Sequence, residues 1–137
     1  NQVRRPHAPT PSPEIAMPTA ETLERFIARV EQGAHAEAIE EFYRVDGAIR
    51  ENQSPPRRGR DNLVAQERKV LARARSVHTT CVRPYLVDGS VAVLRWIFRF
   101  DWLDGSTTEM EELAWQRWDG EKIVEERFFY DPKQMAG

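Results

Sequence analysis

The 137-residue chain has a single cysteine, Cys81, and only three histidines, His7, His35 and His78. One thiol forms no internal disulfide, so nothing calls for an oxidising compartment. Nor do the cysteine, the histidines and the carboxylates fall at metal-ligand spacing, and no metal site is expected. An excess of one charge is missing as well. The formal net charge of −2 offers no bulk attraction to nucleic acid or to an anionic membrane. No apolar run approaches the roughly 20 residues of a membrane span, and the first residues lack the apolar stretch of a signal peptide. A glycine-rich phosphate loop is also wanting, since "RRGRD" at 57–61 does not have the P-loop pattern. These absences lead to the expectation of a soluble, cytoplasmic domain with no cofactor, no nucleic-acid partner and no membrane association.

What is present is the composition of a globular chain. Hydrophobic residues make up 40% and charged residues 31%, enough apolar content to bury a core in a single domain. Proline is bunched at the start, where "NQVRRPHAPTPSPEIAMP" holds Pro6, Pro9, Pro11, Pro13 and Pro18. Each fixes φ and removes a backbone donor, so residues 1–18 are expected to be a disordered tail. Met17 is a candidate natural start, and the folded domain is assigned to 19–137.

From Thr19 the apolar spacing becomes helical. Thr19 is an N-cap, Leu23, Phe26, Ile27 and Val30 form one stripe, and Gly33 stops the helix. A second helix begins near His35, with Ala36, Ile39, Phe42 and Tyr43 on one side. A short strand follows, in which Val45, Gly47, Ile49 and Glu51 share a face. "SPPRRG" interrupts it, and a third helix starts near Asp61 with Leu63, Val64, Val70 and Leu71 as its stripe.

After Arg75 the period changes to two. Strands are expected over 76–87, 90–103, 106–118 and 122–130, separated by "DGS", "DGS" and "DGE", in which glycine accepts a positive φ. Three helices followed by a four-strand meander make an α+β domain, its helices covering one face of a curved sheet.

The order and spacing of "AIEEFYRVDGAI", "PRRGRDNL" and "DGEKIVEERFFYD" resemble the nuclear transport factor 2-like superfamily, and within it the SnoaL-like polyketide cyclases and ketosteroid isomerase. The resemblance spans about residues 19–131. It implies a cone-shaped, cystatin-like α+β barrel in which three N-terminal helices plug a strongly curved antiparallel sheet around a pocket. It also implies a homodimer formed through the outer face of the sheet.

Ketosteroid isomerase has a tyrosine at the end of its second helix and a proton-moving aspartate eight residues later. Tyr43 matches the first and Glu51 the second. Glu51 also falls on the apolar face of its strand, where partial desolvation makes a carboxylate a better base. The alternative is a solvated carboxylate at the rim. The isomerase's oxyanion donors fall on Ile27 or Val30 and on Ala114, none of which donates a hydrogen bond, so steroid isomerisation is excluded.

Limonene epoxide hydrolase, a second relative, uses an aspartate–arginine–aspartate group. "RFD" supplies Arg99 and Asp101, while the third position falls on Phe128. A two-residue Asp104-Gly105 turn would put residue 97 opposite 112, making Arg99 and Glu112 diagonal neighbours. Arg95, Arg99, Asp101 and Glu112 then form one polar group inside the cone, and the alternative is a salt-bridge ladder on an outer face.

Strand 90–103 sorts its residues into an aromatic face (Trp96, Phe98, Phe100, Trp102) and an arginine face (Arg95, Ile97, Arg99, Asp101). Burial alone turns the aromatics toward the helices, at about 1.5–3 kcal/mol for each large side chain. The resemblance places the arginine face inside and leaves the aromatics for a partner subunit, and this second arrangement is the expectation adopted. The last hairpin is open, because a change of one residue in its loop moves Glu126 to the other face.

Of the remaining candidates, His78 is expected to be a hydrogen-bonded structural histidine and His35 an exposed one. Cys81 is expected to be buried, and the basic third helix to present a solvated face. The function expected is a pocket for a small, mostly apolar molecule bearing a carbonyl or hydroxyl. Any chemistry would be proton transfer, as in isomerisation, dehydration, cyclisation or water addition. Glu51 is the base, Arg99 the clamp, Asp101 and Glu112 the orienting carboxylates and Tyr43 a hydroxyl relay. Trp118, Phe128, Tyr130, Ile97 and Met110 line the wall. The other reading is a non-catalytic ligand-binding or protein-association domain on the same scaffold.

Overall fold

Thr19 opens the first helix as expected. Its hydroxyl accepts a hydrogen bond from the Thr22 amide at 3.1 Å, satisfying one donor that the first turn leaves free. The computed structural model describes residues 18–136, so all but Pro18 of the proline-rich tail lies outside the described residues. Three helices come first: α1 (Ala20–Glu31), α2 (His35–Phe42) and, after a short β1 (Tyr43–Glu51) and β2 (Arg57–Arg58), α3 (Arg60–Leu71). The meander follows as β3 (Ala74–Asp88), β4 (Val91–Trp102), β5 (Thr107–Asp119) and β6 (Lys122–Phe129), with a final turn of helix, α4 (Lys133–Ala136).

The six strands form one curved, unclosed sheet in the order β2-β1-β6-β5-β4-β3. It is not wholly antiparallel, because β1 runs parallel to β6, with Ile49 beside Glu126 and Glu51 beside Phe128. Leu23, Phe26 and Ile27 of α1, Ile39 and Phe42 of α2 and Leu63 of α3 bury their side chains against its inner face. Phe26 is central there, meeting Phe42, Trp96 and Trp118 edge to face at 5.4, 6.4 and 5.9 Å. Edge-to-face rings at such separations add to plain area burial.

The aromatic face of β4 turns inward, which reverses the expected orientation. Leu94, Trp96, Phe98 and Phe100 are buried, whereas Arg95 and Arg99 are exposed. Burial of the apolar face decides this, since guanidinium groups give up nothing by staying in water.

Val45 also departs from expectation. It is exposed, while Gly47, Ala48 and Ile49 are buried. Between Tyr43 and Ala48 the pairing with β6 slips, five residues of β1 spanning only two of β6. This bulge breaks the period-two rule and returns Ile49 and Glu51 to the inner face that Tyr43 occupies. Gly47 sits in the bulge, where a Cβ would lie 2.9 Å from the Arg44 carbonyl oxygen and 3.4 Å from that of Ile123. Both neighbours are backbone and yield poorly. Gly47→Ala is therefore expected to lower the unfolding free energy by about 1–3 kcal/mol, read as a lower denaturant midpoint at unchanged slope.

Candidate functional site

A cavity of about 720 Å³ lies between the three helices and the sheet. Its deep wall is the inner face of β4 and β5, where Trp96, Phe98, Phe100 and Met110 line it. Exposed Leu103, Asp104 and Ser106 also border it, so it opens beside the turn between those strands. Trp96, Phe98, Phe100 and Trp102 follow one another along this wall with ring centroids 5.8, 6.2 and 4.8 Å apart.

Four glutamates from four elements border the same space: Glu51 of β1, Glu67 of α3, Glu112 of β5 and Glu126 of β6. Glu126 is 2% exposed and held by donors. Gln116 Nε2 donates to its Oε2 at 2.6 Å, and the Tyr43 hydroxyl donates to its Oε1. Gln116 Oε1 in turn accepts from the Trp118 indole at 3.1 Å. Burial pushes the Glu126 carboxyl up to about 7, against the lowering effect of those two donors. Burial and the neighbouring Glu126 charge together raise the Tyr43 hydroxyl well above the usual phenol range. A chain Trp118–Gln116–Glu126–Tyr43 thus runs from behind the cavity wall to its lining.

Glu51 is less enclosed, its side chain 39% exposed. Tyr130 Oη donates to its Oε1 at 2.7 Å and Arg57 Nη2 to its Oε2 at 3.0 Å. Glu67 meets His35 Nδ1 at 3.3 Å, and His35 Nε2 lies 2.8 Å from Thr79 Oγ1.

Glu112 differs from the other three. It is 8% exposed, and among the described residues nothing hydrogen-bonds or ion-pairs with its carboxyl. Burial, followed by repulsion from Glu126, Glu51 and Glu67, pushes it up to about 8. At neutral pH it is therefore mostly a neutral acid, able to donate a proton or hydrogen bond into the cavity.

The expected group of Arg95, Arg99, Asp101 and Glu112 does not assemble. The loop between β4 and β5 has three residues rather than two, Trp102 N donating to Ser106 O at 2.8 Å across it. Trp96 consequently pairs with Glu112 and Arg99 with Glu109, so Glu112 turns inward while Arg99 and Asp101 face outward. There Arg95 bonds Glu111, and Asp101 accepts from Ser76 at 2.9 Å and Thr107 at 3.1 Å. This is the ladder on the outer face. Ile97, opposite Glu111, leaves the expected ligand wall with them. Trp118 does not border the cavity either, because it packs behind it on Phe26. Tyr43, Glu51, Met110, Glu112 and Phe128 do border it, and Tyr130 reaches it through its bond to Glu51.

His35 was expected to be exposed. It is buried and edge-on to Phe98 at 5.6 Å, since the turn before α2 faces the sheet. His78 is an exposed residue beside Arg99, not a bonded core histidine. Cys81 is buried as expected, which pushes its thiol up. Glu67, Gln116 and Arg57 were not foreseen as site residues, although Glu112, Ala114, Gln116 and Trp118 alternate in sequence as one face. Among the described residues no three His, Cys, Asp or Glu side chains come together as metal ligands, and no helix is long and apolar enough to cross a membrane.

A curved sheet and three helices around a cavity define an α+β class of domain, and such a fold does not by itself fix one activity. The profile of the SnoaL-like domain matches residues 23–126, and the chain belongs to that family. No curated protein matches it. Among solved structures it is similar to a candidate SnoaL-like polyketide cyclase from Mesorhizobium loti, with 28% identity, 83% of this chain and 100% of the other covered, and a TM-score of 0.68. A second candidate cyclase, from a Jannaschia species, is 14% identical over 94% of this chain and 95% of its own, with a TM-score of 0.72. A Catenulispora acidiphila protein of ketosteroid isomerase-like fold, solved in complex with trimethylamine, is 16% identical over 83% and 88%, with a TM-score of 0.69.

Proposed function

We propose that this SnoaL-like domain binds a small, mostly apolar molecule in its cavity and exchanges a proton with it through Glu112. What supports this above all is Glu112 itself: a buried, unpartnered carboxyl on an aromatic wall, open to a space large enough for a ligand. A carboxyl that titrates near the working pH both holds and releases a proton readily, which suits isomerisation, dehydration, cyclisation or water addition. Glu51 takes a different part from the base expected of it. With Tyr130 on one oxygen and Arg57 on the other, it orients the carbonyl or hydroxyl end of the ligand. Tyr43, by donating to it, keeps the second buried carboxyl, Glu126, in place.

The experiment is to extract and identify by mass spectrometry whatever molecule co-purifies with the protein, then return it to fresh protein in D2O. Deuterium should enter the ligand at one carbon-bound or hydroxyl-adjacent position faster than in buffer alone. A bound ligand that gains no deuterium over the buffer control would leave a carrier, not a catalyst.

A further inference from the structure

The cavity is strongly acidic for a space walled by aromatic rings. Glu51, Glu67, Asp104, Glu112 and Glu126 border it against only two guanidinium groups, Arg57 and Arg73. Both of those are already engaged. Arg57 binds Glu51 and Gln66, and Arg73 lies over the Trp102 ring, 5.5 Å from its centroid at the cavity mouth. Glu67 has His35, and Glu126 has Tyr43 and Gln116. Among the described residues Glu112 alone of these five has no partner, although it is 8% exposed and borders the space. A buried carboxyl with no partner is costly, and here a cation entering from outside would meet it.

We propose that the ligand carries a protonated amine, and that this ammonium group pairs with Glu112 while its apolar body lies along Phe98, Phe100 and Met110. The proposal rests on the cavity being a ligand site at which Glu112 exchanges a proton, and it names the chemical class of that ligand. A metal ion is not the cation the site suits, since among the described residues no three ligating groups converge there. A single ammonium needs one carboxylate, up to three acceptors and apolar contact for its stem, all of which the site offers.

Binding is coupled to a proton. The free Glu112 carboxyl holds its proton because it is buried and faces Glu126 of β6, Glu51 of β1 and Glu67 of α3. Arg57 of β2, His35 of α2, Tyr43 at the start of β1 and Tyr130 beyond β6 surround the same space, with Arg73 and Asp104 at its mouth. An ammonium at Glu112 favours the carboxylate, so the carboxyl proton passes to solvent as the ion pair forms. Glu112 then waits beside the ligand as an acceptor, and the cationic substrate prepares its own base.

Three probes with one body test this: 4-phenylbutylamine, 4-phenylbutan-1-ol and 4-phenylbutyrate, titrated calorimetrically into the full chain. The amine stays charged between about pH 6 and pH 8.5. At the upper pH it should bind on the order of tenfold tighter than the alcohol, and the carboxylate should not bind measurably. Lowering the pH to about 6 should weaken the amine at least tenfold while changing the alcohol little, and heats in buffers of different ionisation enthalpy should report a proton released near neutrality. Glu112→Gln should remove the preference for amine over alcohol. Where that variant folds poorly, the pH profile of the native protein alone decides. An alcohol bound as tightly as the amine, or an amine affinity that rises as pH falls, would overturn the inference and leave the pocket reading standing. Failure of all three probes overturns the inference too, and the pocket reading then stands or falls on the co-purified ligand.

Discussion

Glu112→Gln is expected to slow proton exchange with the bound ligand by on the order of a hundredfold or more. Glutamine keeps the shape of the side chain and its capacity to donate a hydrogen bond but carries no ionisable proton, so proton transfer should be lost to a greater extent than ligand binding, which loses only the charge pairing. The rate of deuterium entry into the co-purified ligand measures the second, and calorimetry measures the first. Glu51→Gln should act in the opposite proportion. It removes the charge that Arg57 and Tyr130 hold in place, and should weaken binding more than it slows exchange. Exchange at native speed in the Glu112 variant would remove that residue as the proton carrier.

Stability should fall as the solution is made alkaline, by on the order of 2–5 kcal/mol between about pH 5 and pH 9. Glu112 and Glu126 titrate near 8 and near 7 in the folded protein, both above the ordinary carboxylate value of 4.5. Between the unfolded and folded values the native state binds more protons than the unfolded state, so raising the pH favours unfolding. Their contribution is complete below about 4.5 and lost once pH has risen through the folded values. Charging both carboxyls within a buried, mutually repelling set is the physical cause. Outer carboxylates behave oppositely. Hydrogen bonds from Ser76 and Thr107, with the Arg99 charge, hold Asp101 below its usual range, and Arg83 and Tyr85 do the same for Glu24. Both lie in solvent, where such pairs contribute little. Thermal melting across this pH range should therefore show a net alkaline decline. Glu112→Gln should flatten it and be more stable than the native protein above about pH 8, whereas a melting temperature that climbs with pH would refute the assignment.

Chain-local chemistry made most of the fold legible. The Thr19 cap, the stripe of Leu23, Phe26, Ile27 and Val30, and the glycines at 89, 105 and 120, all at positive φ, act within a few residues, so they read directly from sequence. Family resemblance reached further and placed Tyr43 and Glu51 at the cavity. Where inference failed, the cause was non-local. Glu112 is inside as expected, but one extra residue in the β4–β5 loop pairs it with Trp96 and leaves Arg99 and Asp101 outside. Alternation has a period of two, and a loop of uncertain length leaves its phase free.

Bulges did the same elsewhere. Val124 is an extra residue in β6 between the pairs Arg117–Glu125 and Trp118–Ile123, and that insertion brings Glu126 inward opposite Gln116. The β1 bulge put Val45 in water. By itself the sequence determined which segments are helix and strand, because capping, periodicity and turn chemistry are carried by neighbours along the chain. Only the tertiary structure decided which carboxyls meet, because burial, repulsion and a missing partner are properties of the space that distant strands enclose.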